Sequence, residues 1–229
     1  MTYLYIVIKT YTDMKNLIYL FILSFFLFSC EKPAENLGAT VSDVDGNVYK
    51  TRDFGTQTWM VENLRTTRFN DGTAIPLVED QSIWNNLTTP AYCFYDNDKT
   101  NKSLYGGLYN GYTISFNNLC PTGWHLPDEC EWSRLINYIG GLDSASIKLM
   151  EGDGFSAILG GMRGTEFLWE GEKGTFQSST SKFENSINYV WVFTTYGYQK
   201  RGDAGGIGIT DGSSVRCIKD NYSVDDGAK

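Results

Sequence analysis

The sequence predicts an α+β domain, rich in strands and loops, with one principal helix and at most one further short one. Three observations point there. The 229 residues hold 24 glycines against five prolines, and the glycines sit among short Ser/Thr/Asn/Asp clusters that read as turns. Runs of β-branched and aromatic residues are bounded by those turns, as strands are. A single segment, about 128–139, combines a cap, apolar residues at helical spacing and a glycine stop. With 41% hydrophobic residues and six tryptophans the chain can fill a packed core, and 20% charged residues is too few for a disordered one. The 19 basic and 27 acidic side chains give a net charge of -8, which argues against binding nucleic acid or an anionic membrane through bulk electrostatics.

The chain opens on an address label. Met14 is a better start than Met1, Lys15 supplies a basic residue, and Leu17 to Phe28 is apolar throughout apart from one serine. Twelve helical residues reach only about 18 Å against a hydrocarbon core of about 30 Å, so residues 1–29 are expected to be a signal peptide, with 14–29 its functional part. The run ends Leu27-Phe28-Ser29-Cys30, which resembles the lipobox of bacterial lipoproteins. There the thiol is diacylated, and more than one acyl chain is what stable anchoring needs. Cys30 is therefore the expected lipidation site. Cleavage removes Lys9, Lys15 and Asp13, so the 19 basic and 27 acidic residues become 17 and 26, net -9. Residues 30–39 read as a polar tether, 40–222 as one folded domain and 223–229 as a tail.

Within the domain, Asp45-Gly46 is expected to be a two-residue hairpin turn, since the calcium-loop pattern would need glycine where Val48 stands. Strands are expected at Val48–Phe54, Gln57–Leu64 and Ala91–Tyr95. The Asp96–Lys102 stretch reads as a solvated turn, and Gly106-Gly107 as a place where backbone approaches something closely. After Pro127, Asp128 and Glu131 form a D-x-x-E cap, and Trp132, Leu135, Ile136 and Ile139 recur at helical spacing until Gly140-Gly141. A shorter helix is expected over Ser144–Met150. Thr165–Asn188 reads as a polar stretch, Tyr189–Thr195 as a buried strand and Ser214–Lys219 as a terminal strand.

Besides Cys30 there are Cys93, Cys120, Cys130 and Cys217, an even number suited to an oxidising compartment, and four thiols allow three pairings. Zinc is disfavoured, because Cys120, His125 and Cys130 are spaced by four residues on each side of the histidine and not by a tight knuckle. No metal and no cofactor is expected.

Six stretches taken together, VSDVDGNVYKT, QTWMVENLRTT, GGLYNGYT, LCPTGWHLPDECEW, GFSAILGGMRG and SSVRCIKD, resemble the Fibrobacter succinogenes major paralogous domain family of bacterial envelope proteins. The resemblance spans about residues 40–220. It implies a C-type lectin-like mixed fold, in which amino- and carboxy-terminal strands meet and a long irregular region carries variation in binding. Trp124–Pro127 with Glu131-Trp132 also resembles the helix start of formylglycine-generating enzymes. That likeness implies a Cys120–Cys217 disulfide, with Cys93–Cys130 as a second bridge by elimination, although Cys130 falls where the family pattern has no cysteine. A further departure is Phe176–Thr180, where relatives tend to carry a tryptophan before Ser-Ser-Thr.

Chemistry has little to work with. His125 is the only histidine, with no evident nucleophile or orienting acid, and its place beside Trp124 suits packing and hydrogen bonding to a turn. Calcium-dependent sugar binding lacks the Glu-Pro-Asn or Gln-Pro-Asp triplet. Glu151, Asp153, Glu166, Glu170 and Glu172 crowd one region, but no spacing singles out a catalytic pair, and a solvated acidic surface explains them. No catalytic residue is assigned. Trp84, Tyr105, Tyr109, Trp169, Tyr196 and Tyr198 lie in or near Gly/Asn-rich loops, where aromatics supply rigid contact area; Trp84, Trp169, Tyr196 and Tyr198 are the ligand-binding candidates. The expectation is a non-catalytic module of the cell envelope, held to a membrane, the outer one, by its lipid and facing periplasm or exterior, that binds a glycan or protein and no nucleic acid. Its rivals are an envelope hydrolase or oxidase and a structural surface component.

Overall fold

The computed structural model describes residues 39–141, 148–150, 154–182, 187–194, 197–201 and 207–220. The chain divides into two units, residues 1–36 and 37–229, and every described residue lies in the second. Cys30 and the expected signal segment fall outside the described residues, and among the described ones no helix is long and apolar enough to cross a membrane.

The architecture is α+β, with two main sheets. In chain order the strands are β1 (Thr40–Ser42), β2 (Val48–Phe54), β3 (Gln57–Met60), β4 (Tyr92–Cys93), β5 (Leu108–Tyr109), β6 (Trp124–His125), β7 (Gly160–Arg163), β8 (Phe167–Glu170), β9 (Lys173–Lys182), β10 (Ile187–Thr194), β11 (Gly197–Arg201), β12 (Ile207–Gly208) and β13 (Ile218–Lys219). One sheet runs β1-β2-β3-β13-β6, so the first strands of the domain sit beside the last. The other runs β11-β10-β9-β7-β8, with β12 on β10, while β4 and β5 form a small pair. Among the described strands, all pairings are antiparallel except β7 with β9, at Gly161 and Gly174, while isolated bridges such as that of Phe176 with Ser214 are also parallel.

Strand β2 forms where the sequence places it because Tyr49 and Thr51 alternate inward against exposed Val48, Lys50 and Arg52. The connection from β1 is longer than the expected two-residue turn. It spans five residues, Asp43–Asn47, because the Asp43 carboxylate accepts from the Asp45 and Asn47 amides, from Asn47 Nδ2 and from the Tyr49 hydroxyl. Such a side-chain anchor substitutes for the tight turn. Strand β3 is shorter than expected, ending at Met60 where the Met60 amide turns to the Cys217 carbonyl. Gly106-Gly107 does mark a close approach: the Gly107 amide donates to the Leu64 carbonyl.

The single long helix, α1 (Glu129–Tyr138), has the cap read from sequence. The Asp128 carboxylate accepts from the Glu131 amide at 2.7 Å and Glu131 Oε2 accepts from the Asp128 amide at 2.8 Å, a reciprocal arrangement contributing about 1 kcal/mol. Its end is a Schellman motif, with the Gly141 amide on the Ile136 carbonyl and the Gly140 amide on that of Asn137, which the left-handed φ of both glycines permits. Between these ends, Trp132, Leu135, Ile136 and Ile139 are buried with Phe54, Trp59, Phe155, Phe176 and Ile218. Trp132 lies 4.8 Å from Trp59 between ring centroids, and such aromatic pairs add about 1 kcal/mol beyond their buried area. A second cluster, built on Tyr49, Met60, Leu64, Tyr109, Leu126 and Val215, joins the terminal strands to the middle of the chain. Of the expected helix Ser144–Met150, residues 148–150 are helical and 144–147 lie outside the described residues.

The stretch expected to be polar loop, Thr165–Asn188, instead contains β8, the whole ten-residue β9 and the start of β10. Thr175, Gln177 and Ser178 are buried there. Their side chains donate to the carbonyls of Gly161, Tyr109 and Pro127, which offsets much of the cost of burying them. The terminal strand is only two residues long, because Ser213 and Ser214 bridge instead to Tyr109 and Phe176.

Candidate functional site

His125 ends β6, which pairs with β13, and lies just before the α1 cap. Its Nδ1 is 2.5 Å from Asp220 Oδ1 and its Nε2 2.9 Å from Glu131 Oε1. With a carboxylate on each nitrogen, both must donate, which is the protonated ring. The hydrogen bond to Glu131 and then that to Asp220 outweigh partial burial and raise the His125 pKa to about 9. Burial pushes Glu131 upward, but hydrogen bonds from His125 and the Asp128 amide leave it below the ordinary range. A ring charged at neutral pH has no lone pair for general-base work. The cluster ties the start of α1 to the end of β13, so it is a clamp.

The clamp makes stability depend on pH. A group whose pKa is raised on folding contributes fully below its unfolded value of about 6.5 and loses that contribution as pH rises through about 9. The ring is 41% exposed, which limits the contribution to about 1 kcal/mol. The melting-temperature difference between the wild type and His125→Gln should be full at pH 6 and vanish above pH 9. A difference that stays constant across that range would show that the charge is not what holds the clamp.

Cys120 and Cys217 form a disulfide with 5.9 Å between Cα atoms, the pairing that the family resemblance implies. Neither is then available as a metal ligand or redox thiol. The second expected bridge is absent: Cys93 and Cys130 are both free thiols. Cys93 is buried among Trp84, Ala91, Tyr95 and Leu108, where burial pushes its pKa up to about 11, whereas Cys130 is exposed on α1. Among the described residues, no group of three or more His, Cys, Asp or Glu could hold a metal.

The aromatic candidates separate. Trp84, expected in a loop, ends the short helix Gln81–Trp84 and is buried, with the Arg163 guanidinium 4.3 Å from its ring centroid, so it is core and not a ligand contact. Tyr109 is buried as well. Tyr105 is half-buried beside Tyr95. Trp169 is half-buried on β8, its φ is +68°, and the Lys173 ammonium lies 4.0 Å from its ring centroid. Tyr198 is on β11 opposite Phe193, and Tyr196 lies outside the described residues. Pairing of Thr194 with both Lys173 and Gly197 brings the β8–β9 turn and the β10–β11 hairpin to one end of the second sheet. Trp169 and Tyr198, distant in sequence, therefore share that end along the strand direction but lie on opposite edge strands, β8 and β11, about 19 Å apart at four strand spacings. Of the acidic cluster, Glu166, Glu170 and Glu172 are exposed, and Glu151 and Asp153 lie outside the described residues.

Sequence reading passed over two features. Arg163 and Arg216 are fully buried. Arg163 donates to the carbonyls of Val78 and Glu79 and to Asn97 Oδ1; Arg216 donates to Asn63 Oδ1 and to the carbonyls of Phe155 and Ser156. Both brace loops. The second feature is a cleft of about 330 Å3 between the β2–β3 hairpin and the end of α1, lined by Arg52, Asp53, Phe54, Tyr138, Ile139 and Lys148. Exposed Tyr138, immediately before the helix stop, was the available signal.

A family model described as the Fibrobacter succinogenes major domain matches residues 53–219. No curated protein matches the chain, and no solved structure does.

Proposed function

We propose, from the premise that this chain belongs to the Fibrobacter succinogenes major domain family, that it is a non-catalytic binding module of the bacterial cell envelope. It is tethered by a lipid on Cys30, faces the periplasm or exterior from the outer membrane, and holds a glycan at the aromatic end of its second sheet; a protein ligand is the other class a screen must sample. The observation that carries the reading is the backbone of Trp169. A bulky aromatic at positive φ is a conformational outlier costing about 1–3 kcal/mol, and such strain gathers at ligand-holding positions. At the same end, on the opposite edge strand β11, lies a second candidate, Tyr198. The clamped, charged His125 supports binding over catalysis. A C-type lectin-like reading of the fold is supported by β3 lying beside β13 and by the long excursion between them.

The test is glycan-array and pull-down screening of the soluble chain from Ala34. Trp169→Ala should weaken capture about tenfold or more, while His125→Ala retains it. Capture by Trp169→Ala equal to that of the wild type, or turnover abolished by replacing one carboxylate, would sink the proposal.

A further inference from the structure

We infer that the cleft between β2 and the end of α1 is a second binding site, independent of the sheet end, and that it takes a carboxylate-bearing sugar, a uronic-acid residue of a glycan. The cleft gathers two cations in a protein with a net charge of -8. Among the described residues, no carboxylate lies within ion-pair distance of Arg52 or Lys148.

The arginine is exposed at the mouth of the cleft. Its guanidinium carbon lies 5.9 Å from the Phe54 ring centroid. It also rests against Gly154, whose φ is +81° and where a Cβ would fall on the guanidinium itself. A side chain at Gly154 would have to displace the exposed Arg52 guanidinium, which offers its planar fork to a carboxylate beside that glycine. Lys148 Nζ donates to the Ile139 carbonyl at 2.8 Å, which offsets the negative end of α1 and leaves two further N–H donors for the cleft.

The remaining walls favour a sugar over a simple anion. Tyr138 is 61% exposed, yet its ring is fixed edge-on to Phe54, with centroids 6.4 Å apart, and by its seat over Gly55. A rigid exposed ring is a platform for the C–H face of a pyranose. Asp53, oriented by the Thr58 hydroxyl at 2.6 Å, supplies acceptors for sugar hydroxyls and would repel a polyanion lacking them.

The test is calorimetric titration of the full chain with trigalacturonate, a neutral galactose trisaccharide and a glutamate-rich peptide. Trigalacturonate is expected to bind, with affinity falling as salt rises, and the neutral sugar and peptide to bind at least about tenfold more weakly. Arg52→Gln should reduce trigalacturonate affinity about tenfold or more at an unchanged melting temperature, with Arg52→Lys intermediate, and Tyr138→Ala should reduce it as much while lowering the melting temperature by only a few degrees, the loss of its ring contact with Phe54. Trp169→Ala should leave it unchanged, so that failure here and failure of the sheet-end reading are separable. No binding of trigalacturonate, equal binding of either comparison ligand, or equal affinity in Arg52→Gln would overturn the inference.

Discussion

Replacing Cys217 with serine is expected to destabilise the domain by about 4 kcal/mol, or roughly 10 °C in melting temperature for a domain of this size. The bridge closes 97 residues, and the entropy removed from the unfolded chain grows with that length. Location adds to the effect. β13 is two residues long and holds β3 and β6 through three residue pairs, so few backbone bonds secure the centre of the first sheet. Cys217 and Cys120 also fill the cluster built around Tyr49, Met60 and Leu64. Equilibrium urea unfolding, with and without a reductant, measures the effect. Reduced wild type should unfold at the midpoint of Cys217→Ser, and a midpoint equal to that of the oxidised protein would show that the short strand holds unaided.

Arg216→Ala is expected to cost a similar amount, about 3–5 kcal/mol. The guanidinium satisfies three acceptors at once, from Asn63, Phe155 and Ser156, while its plane lies 4.3 Å from the Phe155 ring centroid and 5.4 Å from that of Phe176. Burial lowers its pKa to about 9, a measure of how far the charge is removed from water. Alanine would leave three acceptors unmet, the Asn63 and Phe155 ones buried, and a cavity between two rings. Lysine restores the charge but not the fork, so Arg216→Lys should recover less than half of the loss. Urea midpoints of the two variants decide it, and an Arg216→Ala loss below about 1 kcal/mol would show that the acceptors find water instead.

Local signals in the chain were legible. Helix α1 could be read residue by residue, from the Asp128–Glu131 cap to the Gly140-Gly141 stop, because caps and periodicity act within a few positions. β2 was legible for the same reason. β9 was not: its inward residues include Thr175, Gln177 and Ser178, made tolerable in the core by partners 14, 68 and 51 positions away. Hydrophobic periodicity cannot register a polar core of that kind. Trp84 misled in the opposite direction, since its polar neighbours suggested a loop while its partner, Arg163, lies far along the chain. The disulfide came from family resemblance, as the thiols alone allowed three pairings. Composition signalled the aromatic candidates, but not that β-pairing would set Trp169 and Tyr198 at one end of the second sheet on its two opposite edge strands. The Arg52–Tyr138–Lys148 cleft joins segments that carry no shared local pattern.

The Asp43 clasp bears on how the molecule meets mechanical tension. β1 is an edge strand whose open end, at Thr40 and Lys50, faces any pull arriving from the amino side, so its rungs would rupture singly, like a zipper, and not in concert. That peeling runs straight into Asp43, whose four hydrogen bonds, including one from the buried Tyr49 hydroxyl, form a knot at the closed end. A tug would thus spend itself on three residues of hairpin before reaching the body of the first sheet.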